Sequence, residues 1–447
     1  SFGDLAGFNR WVWMLSHVLA SGKFMSTFSI LFGAGVMIFV EKASSKGYNS
    51  ASLHYRRMSW LLLFGLIHAY IIWSGDILVA YSLCGMLLFV FRNLRPRSLL
   101  WTGLGFFIIP ILFNVFTAIS IPFWPEESYQ EIMQIWRPDT ETIQHEIEGM
   151  HGGWMDQMEY RAEDAIFMQT QYFMMATFWR VMSMMLLGMA LYKWKILSAE
   201  RSSGFYVRMT LIGLGSGYLL SILGIVLNVK DGWTMEYSMF LGPQLNSIGS
   251  VGVALGYAAL IMLICRSARL VRFKSVFGAV GRMAFTNYIL QSVICVFIFY
   301  GTGLGLYGSI ERKYQLLFVL GIWITLLIIS SLWLKHYRFG PLEWLWRSLT
   351  YWRRQLNKVF VITLLLAFST STWLHSQVIY SNDQVDVIKL EENIFLLKEN
   401  YKFTANCMAI TGDEGLLILD TGFGEIGEYL VDAVKSLGKE VKMIVNS

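Results

Sequence analysis

Residues 56–81, RRMSWLLLFGLIHAYIIWSGDILVAY, decide the fold class of this chain. The segment from Met58 to Trp73 is too apolar for a surface helix and is typical of a helix that crosses a bilayer. His68 stands inside this segment, and Asp76 follows at the turn beyond it. Because ionisable groups at membrane depth are costly, they usually face a cavity or a partner rather than lipid. His68 and Asp76 are therefore the first candidates for a functional site.

The composition of the whole chain agrees with a polytopic membrane protein. Of its 447 residues, 55% are hydrophobic and only 15% are charged, which excludes a disordered protein. Basic cytoplasmic loops explain the net charge of +5, so we expect a lipid bilayer and no nucleic acid as partner. The four cysteines have neither zinc nor redox spacing, and no metal site is expected. Because the chain has neither an initial Met nor a signal peptide, we expect it to begin inside a longer protein.

The apolar segments predict a mainly α-helical, polytopic transmembrane bundle with about nine or ten spans of about 20 residues each, followed by a small incomplete α/β segment. The predicted spans are residues 24–41, 58–74, 77–92, 98–122, 176–193, 206–228, 245–265, 278–300, 314–334 and 358–376. Basic loops alternate with short or acidic ones, and the positive-inside rule places the basic set in the cytoplasm. Residues 123–175 then form an extracytoplasmic acidic loop, long enough for one or two amphipathic helices. The GxxxG pairs Gly213/Gly217 and Gly252/Gly256 predict close packing between spans.

His68 and Asp76 are residue types that suit proton transfer. An imidazole takes and returns a proton near neutral pH, or carries an acyl group, and we expect this one to face a watery pocket open to the outer side. Along a straight helix the two residues would lie about 12 Å apart, so they meet only if the hairpin folds back or a third group bridges them. Two simpler interpretations stay open: His68 as a core histidine bonded to a neighbouring helix, and Asp76 as the N-cap of the next helix.

Other polar side chains are candidates for substrate binding. Arg180 lies one turn inside a predicted span, where it either extends to the headgroups or holds an anion with its planar fork. A second set lies in the inner half of a later span: Arg282, Asn287, Tyr288 and Gln291. This set either continues a path across the bilayer from His68 or makes interhelical hydrogen bonds worth about 0.6 kcal/mol each.

Four ordered motifs resemble a known bacterial family. They lie at residues 23–33, 56–78, 281–288 and 340–344. Over residues 1–355 the chain resembles the YeiB-like membrane proteins, labelled domain of unknown function 418, although the usual Asp-x-x-Arg-Gly-like opening helix is absent. That family resembles, more distantly, acyltransferases of the heparan-glucosaminide acetyltransferase type, which move an acetyl group from cytoplasmic acetyl-CoA to a sugar on the far side. The resemblance implies an acyltransferase with acyl-CoA as co-substrate and no bound cofactor.

The end of the chain predicts a different structure. Strands are expected at residues 385–390, 393–397, 406–410 and 415–422, then a helix at 425–438 and a strand at 441–445. Residues 384–447 resemble the opening of a metallo-β-lactamase fold, cut off before the His-x-His-x-Asp-His motif. Asp420 matches that fold's Asp-Thr-Gly element, but alone it holds no metal, so zinc hydrolysis is not expected. Residues 356–380 resemble either an extra span or a signal peptide, so the two parts are either a fusion of two reading frames or one two-domain protein.

Three functions are consistent with these residues. The first is a membrane acyltransferase of the bacterial inner (cytoplasmic) membrane, moving an acyl group from a cytoplasmic donor to an extracytoplasmic acceptor such as a carbohydrate or another small molecule. His68 would act as base or acyl carrier, and Asp76 would orient it. The second is a transporter or channel for a small polar or anionic solute, and the third is a non-catalytic membrane scaffold. In each case residues 377–447 are expected outside the cytoplasm.

Overall fold

The chain divides into two units, residues 1–355 and residues 356–447, each with its own internal contacts. The computed structural model describes residues 7–267, 270–352, 377–382, 385–391, 393–399, 407–412, 415–419 and 427–445. Most of segment 356–380, expected to be an extra span or a signal peptide, lies outside the described residues, and so does Asp420. The first unit is helical, and the second contains a β-sheet.

The first unit is a succession of helices. They are α1 (Gly7–Leu19), α2 (Lys23–Ser45), α3 (Ser50–Ile67), α4 (Leu78–Leu88), α5 (Pro96–Ser120), α6 (Glu126–Trp136), α7 (Thr140–His151), α8 (Asp156–Gln169), α9 (Phe178–Lys193), α10 (Ser203–Lys230), α11 (Gly242–Arg266), α12 (Val271–Arg282), α13 (Ala284–Phe299), α14 (Arg312–His336) and α15 (Pro341–Tyr351). Wider π-helical turns occur at His68–Ile72, Phe173–Thr177 and Glu236–Leu241, and tighter 3₁₀ turns at Phe89–Asn93 and Ile121–Phe123.

The helices confirm a membrane-protein architecture with fewer long spans than predicted. Within the described residues, six helical stretches are long and apolar enough to cross a bilayer, and the pair α12–α13, bent by 78°, makes a seventh if it is one span. The predicted nine or ten spans are therefore not confirmed. The predicted spans 58–74 and 77–92 are not among these stretches, because α3 begins with a polar turn and α4 with its 3₁₀ turn is short. The predicted span 358–376 lies outside the described residues.

Glycines bring two helix pairs into backbone contact. A Cβ atom added to Gly213 of α10 would lie 2.6 Å from the carbonyl oxygen of Gly252 on α11, which confirms the predicted packing role of the GxxxG pairs. A second close approach was not predicted. Gly33 of α2 lies against the backbone of Met185, and Gly188 of α9 lies against the backbone of Ile30. These reciprocal contacts fix the position of α2 against α9.

The acidic loop forms three helices, α6 to α8, rather than one or two. They join the loop that follows α13, because the amide of Gly301 donates to the carbonyl of Met150 at 2.9 Å. The hydroxyl of Tyr307 donates to Glu146 at 2.7 Å. Burial first, and then this hydrogen bond, raise the pKa of Tyr307, so its hydroxyl remains a donor at neutral pH. These contacts tie α7 to the loop after α13.

The second unit is a six-stranded sheet with strand order β1-β2-β3-β4-β5-β6. Its elements are β1 (Gln377–Ser381), β2 (Val385–Glu391), β3 (Ile394–Glu399), β4 (Cys407–Gly412), β5 (Gly415–Leu419), α16 (Gly427–Lys435) and β6 (Val441–Val445). All neighbours are antiparallel except β5 and β6, which are parallel and have α16 between them in sequence. Alternate residues such as Val385, Val387 and Leu397 are buried beside Ala433 of α16. Within the described residues the predicted strands and helix are present, and β1 is an additional strand.

Candidate functional site

His68 and Asp76 meet because the backbone leaves regular α-helical geometry at His68. The π turn at His68–Ile72 follows α3 directly, and Trp73 then turns to an extended conformation with φ −155° and ψ 124°. This reversal folds the hairpin back, and Nδ1–H of His68 donates to Oδ1 of Asp76 at 2.8 Å. The hairpin therefore folds back, which is one of the two ways in which the sequence analysis expected His68 and Asp76 to meet. Wider helical turns of this kind are rare and occur often at functional sites.

Asp76 uses both carboxyl oxygens. Oδ2 accepts from the backbone N–H of Val79 at 2.7 Å, so the carboxyl group also caps the first turn of α4. Oδ1 additionally accepts from the hydroxyl of Tyr288 at 3.3 Å, and this hydroxyl in turn accepts from the amide of Ile77 at 3.1 Å. The capping interpretation is thus correct and coexists with the contact to His68. Tyr288 of α13 is the one predicted substrate-binding residue that joins this pair.

His68 retains one reactive atom without a partner. Nε2 is buried and has no hydrogen-bond partner among the described residues. Because Nδ1 carries the proton toward Asp76, the neutral ring keeps its lone pair on Nε2, which suits a base or a nucleophile. The rings of Tyr288 and Trp73 lie 5.0 Å and 6.3 Å from the imidazole, centroid to centroid. An unpaired buried nitrogen costs stability, and Nε2 of His68 shares this feature with Nδ1 of His54.

The expected pocket open to the outer face does not surround the ring. His68 is only 1% exposed. The loop after the π turn is bonded to α8 and the residues before it, because the carbonyl of Ile71 accepts from Trp154 Nε1 at 3.0 Å and from Arg161 at 3.3 Å. Ser74 also donates to Asp164 of α8 at 3.4 Å. The acidic loop therefore covers the hairpin turn beside the imidazole.

A cavity of about 240 Å³ lies on the other side of Tyr288. Its lining is mostly apolar, from α2, α3, α4, α12, α13 and α15, and its polar members include Arg57, Arg282 and His54. Tyr288 and Ile77 border it, whereas His68 and Asp76 do not. Tyr288 is consequently the wall shared by the cavity and the buried pair. Arg282, predicted as a binding residue, lies at this cavity and not beside His68.

Glu343 of α15 holds one side of this cavity in place, a role that the sequence did not reveal. Its Oε1 accepts from the amides of Phe285 and Thr286 at 2.7 Å and 2.9 Å, and its Oε2 accepts from the Thr286 hydroxyl at 2.6 Å. These bonds cap the start of α13 with a side chain from a distant helix. These residues belong to two of the sequence motifs noted above, at 281–288 and 340–344. The presence of both motifs in one chain was the only sequence feature that could have indicated the contact.

The remaining predicted residues lie elsewhere. Asn287 donates to Ser330 of α14 at 2.9 Å and to the carbonyl of Val280 at 3.2 Å, which is the interhelical bonding considered as the simpler interpretation. Gln291 is exposed. Arg180 of α9 bonds to serines of α2 and α11 and not to the His68 hairpin. The predicted residues are therefore not gathered at one site.

Within the described residues, no group of three or more His, Cys, Asp or Glu side chains is placed to hold a metal ion. The cavity combines an apolar lining with two guanidinium groups, which suits a ligand that has both an apolar and an anionic part. The expected absence of a bound cofactor remains a prediction.

Comparison with known proteins identifies relatives without an assigned activity. A family model described as "Protein of unknown function (DUF418)" matches residues 191–353. The chain is 33% identical over 342 residues to the uncharacterized protein YxaH of Bacillus subtilis (strain 168), covering 74% of this chain and 79% of that protein. It is 30% identical over 358 residues to the uncharacterized protein YeiB of Escherichia coli (strain K12), covering 78% and 87%. No solved structure matches the chain.

Proposed function

This chain belongs to the YeiB-like DUF418 family, and from that premise we propose that it is a membrane acyltransferase. It moves an acyl group from a cytoplasmic thioester donor to an acceptor on the outer side of the bacterial inner membrane. The observation that carries the proposal is the buried His68–Asp76 pair, with Nε2 of His68 left free. A hydrogen-bonded imidazole of this kind is the usual base for activating a hydroxyl or amine.

The proposed reaction assigns each proton and bond to a group. Nε2 of His68 takes the proton from the acceptor hydroxyl or amine as that atom bonds to the acyl carbon. The carbon–sulfur bond of the donor breaks, and the sulfur leaves as a thiolate that recovers the proton from His68. Asp76 stays hydrogen-bonded to Nδ1 throughout, which fixes the ring and stabilises its protonated form. In the alternative order, Nε2 attacks the acyl carbon first and carries the acyl group to the acceptor.

The cavity beyond Tyr288 supports a donor site. Its apolar lining suits a thioester arm, and the guanidinium groups of Arg57 and Arg282 suit the phosphate groups of acyl-CoA. The Cζ atom of Arg57 lies over the ring of Trp346, 3.9 Å from its centroid, and this cation–π contact defines the position of the side chain. Because Tyr288 separates the cavity from His68, the proposal requires this side chain to move when a donor is bound.

Proteoliposomes test the proposal. The full chain, reconstituted with radiolabelled acetyl-CoA outside and a panel of amino sugars and polyols on both sides, should produce a labelled acceptor. His68→Ala should lose this activity at least a hundredfold, the lower end of what a general base contributes, about 10²–10⁴. His336→Ala is the matched control, since His336 is exposed at the end of α14. Equal turnover by the His68→Ala variant and the unaltered protein removes His68 from the mechanism, and solute flux without labelled product selects transport instead.

A further inference from the structure

Two cations are buried together on the other side of α2. Lys23 opens α2 directly after Gly22, whose φ of +77° sets the turn, and its side chain is 0% exposed. Its Nζ donates to the carbonyl of His17 at 2.8 Å and to Oδ1 of Asn246 at 2.5 Å. A lysine is almost never fully buried unless it is paired with an acid. Here both acceptors are neutral.

Arg180 lies beside Lys23 and has neutral partners as well. Its guanidinium donates to the hydroxyls of Ser247 at 2.6 Å and of Ser26 at 2.8 Å, and also to that of Ser250. Ser26 is one turn beyond Lys23 on α2, and the two other serines follow Asn246 on α11. Lys23 and Arg180 thus bind neighbouring residues of α2 and α11. Among the described residues, no carboxyl group forms an ion pair with either side chain.

The two cations have more hydrogen-bond donors than the bonds they form. A lysine ammonium has three N–H donors and an arginine guanidinium has five. The two bonds of Lys23 and the three of Arg180 therefore leave donors unused on both cations. Two buried positive charges without a counter-ion destabilise the fold. A negatively charged group that accepts hydrogen bonds would satisfy the remaining donors.

We propose that Lys23 and Arg180, with the hydroxyls of Ser26, Ser247 and Ser250, bind an oxyanion. The ligand is a phosphate or carboxylate group, belonging either to a soluble molecule or to a lipid headgroup. Arg180 supplies a planar donor fork that matches two oxygens, and Lys23 supplies a point charge. The site shares no hydrogen-bonding residue with the His68–Asp76 pair, so the inference does not depend on acyl transfer.

The test measures anion-dependent stability of the purified full chain in neutral detergent. Sodium phosphate and sodium acetate are titrated at ionic strength held constant with sodium chloride, and the shift in melting temperature is recorded. In parallel, nanodiscs of phosphatidylcholine are compared with nanodiscs that contain phosphatidylglycerol. Saturable stabilisation by phosphate or acetate identifies a soluble anion, and stabilisation by phosphatidylglycerol alone identifies a headgroup. Either result supports the oxyanion site if it depends on the cluster.

Variants show whether the stabilisation by anions depends on the cluster of Lys23 and Arg180. Arg180→Gln and Ser250→Ala should each weaken the apparent affinity for the stabilising anion at least tenfold. Arg208→Gln, which removes an exposed arginine of α10, and His68→Ala should leave that affinity unchanged. If Arg180→Gln does not fold, Ser247→Ala gives the same comparison. The proposal is overturned if neither anion nor the anionic lipid stabilises the protein, or if the Ser250→Ala and Ser247→Ala proteins respond as the unaltered protein does.

Discussion

At the scale of single residues, the central feature is that the carboxyl group of Asp76 accepts hydrogen bonds from three different groups. One carboxyl group accepts from His68, from Tyr288 and from the first turn of α4. Because these bonds are formed in a buried region, removal of the acceptor leaves His68 without any partner among the described residues. A buried polar group that loses its partner costs about 1–3 kcal/mol beyond the lost bond. Asp76 is therefore structural and orienting at once.

Because Asp76 has these additional partners, we expect its substitution to destabilise the protein more than the substitution of an ordinary helix cap. Asp76→Ala should lower the free energy of unfolding by about 3 kcal/mol, because it removes a cap and the acceptor of a buried imidazole. Asp139→Ala is the control, since Asp139 caps α7 through the amide of Thr142 at 2.8 Å but is exposed, and its cost should be clearly smaller. Unfolding in mixed micelles with increasing sodium dodecyl sulfate gives both values. Equal losses would show that His68 does not depend on Asp76.

The residue scale is also where the sequence predicted least. His68 and Asp76 were identifiable because ionisable groups stand out in apolar sequence. Their contact was not, because the π turn that replaces a straight helix has no signature in residue types or spacing. Glu343 was missed for a related reason: its partners are 57 and 58 positions away, and no local pattern reports such a pairing.

At the scale of the elements, close packing of α2 on α9 positions the cluster of Lys23 and Arg180. Gly33 and Gly188 allow backbone contact, and α2 carries Lys23 and Ser26 on the side that meets α9 and α11. The lengths of the apolar segments predicted most of the membrane helices correctly, because the thickness of the bilayer sets the length of a spanning segment. It failed at α3 and α4, where charged residues and a short apolar segment accompany the hairpin that holds His68.

A matched glycine pair tests this packing. Gly33→Ala should destabilise the protein, because the added methyl group would collide with the backbone of Met185. Gly35→Ala, two positions along the same helix, meets no atom within 4 Å and should be neutral or stabilising by up to about 1 kcal/mol, the helix-propensity gain. The measurement is the melting temperature of each variant in the same detergent. Similar effects of the two substitutions would mean that α2 and α9 are not in backbone contact.

At the scale of the membrane unit, the buried pair lies between two different surroundings. The acidic loop covers the hairpin through Trp154 and Arg161, and the apolar cavity ends at Tyr288. Charge alternation along the chain predicts that these two surroundings face opposite sides of the bilayer. The proposed donor and acceptor would then approach His68 from different sides, which suits a transferase that moves a group across a membrane.

The measurement that tests the central claim most directly is a double-variant comparison of acyl transfer. His68→Ala, Asp76→Asn and the combined variant are assayed in proteoliposomes at matched protein amount, with folding checked by gel filtration. If the two residues act as one unit, the combined variant should transfer no more slowly than His68→Ala alone, since effects within a unit are not additive. Full transfer by His68→Ala, or losses in the two single variants that simply multiply in the combined one, would contradict the account.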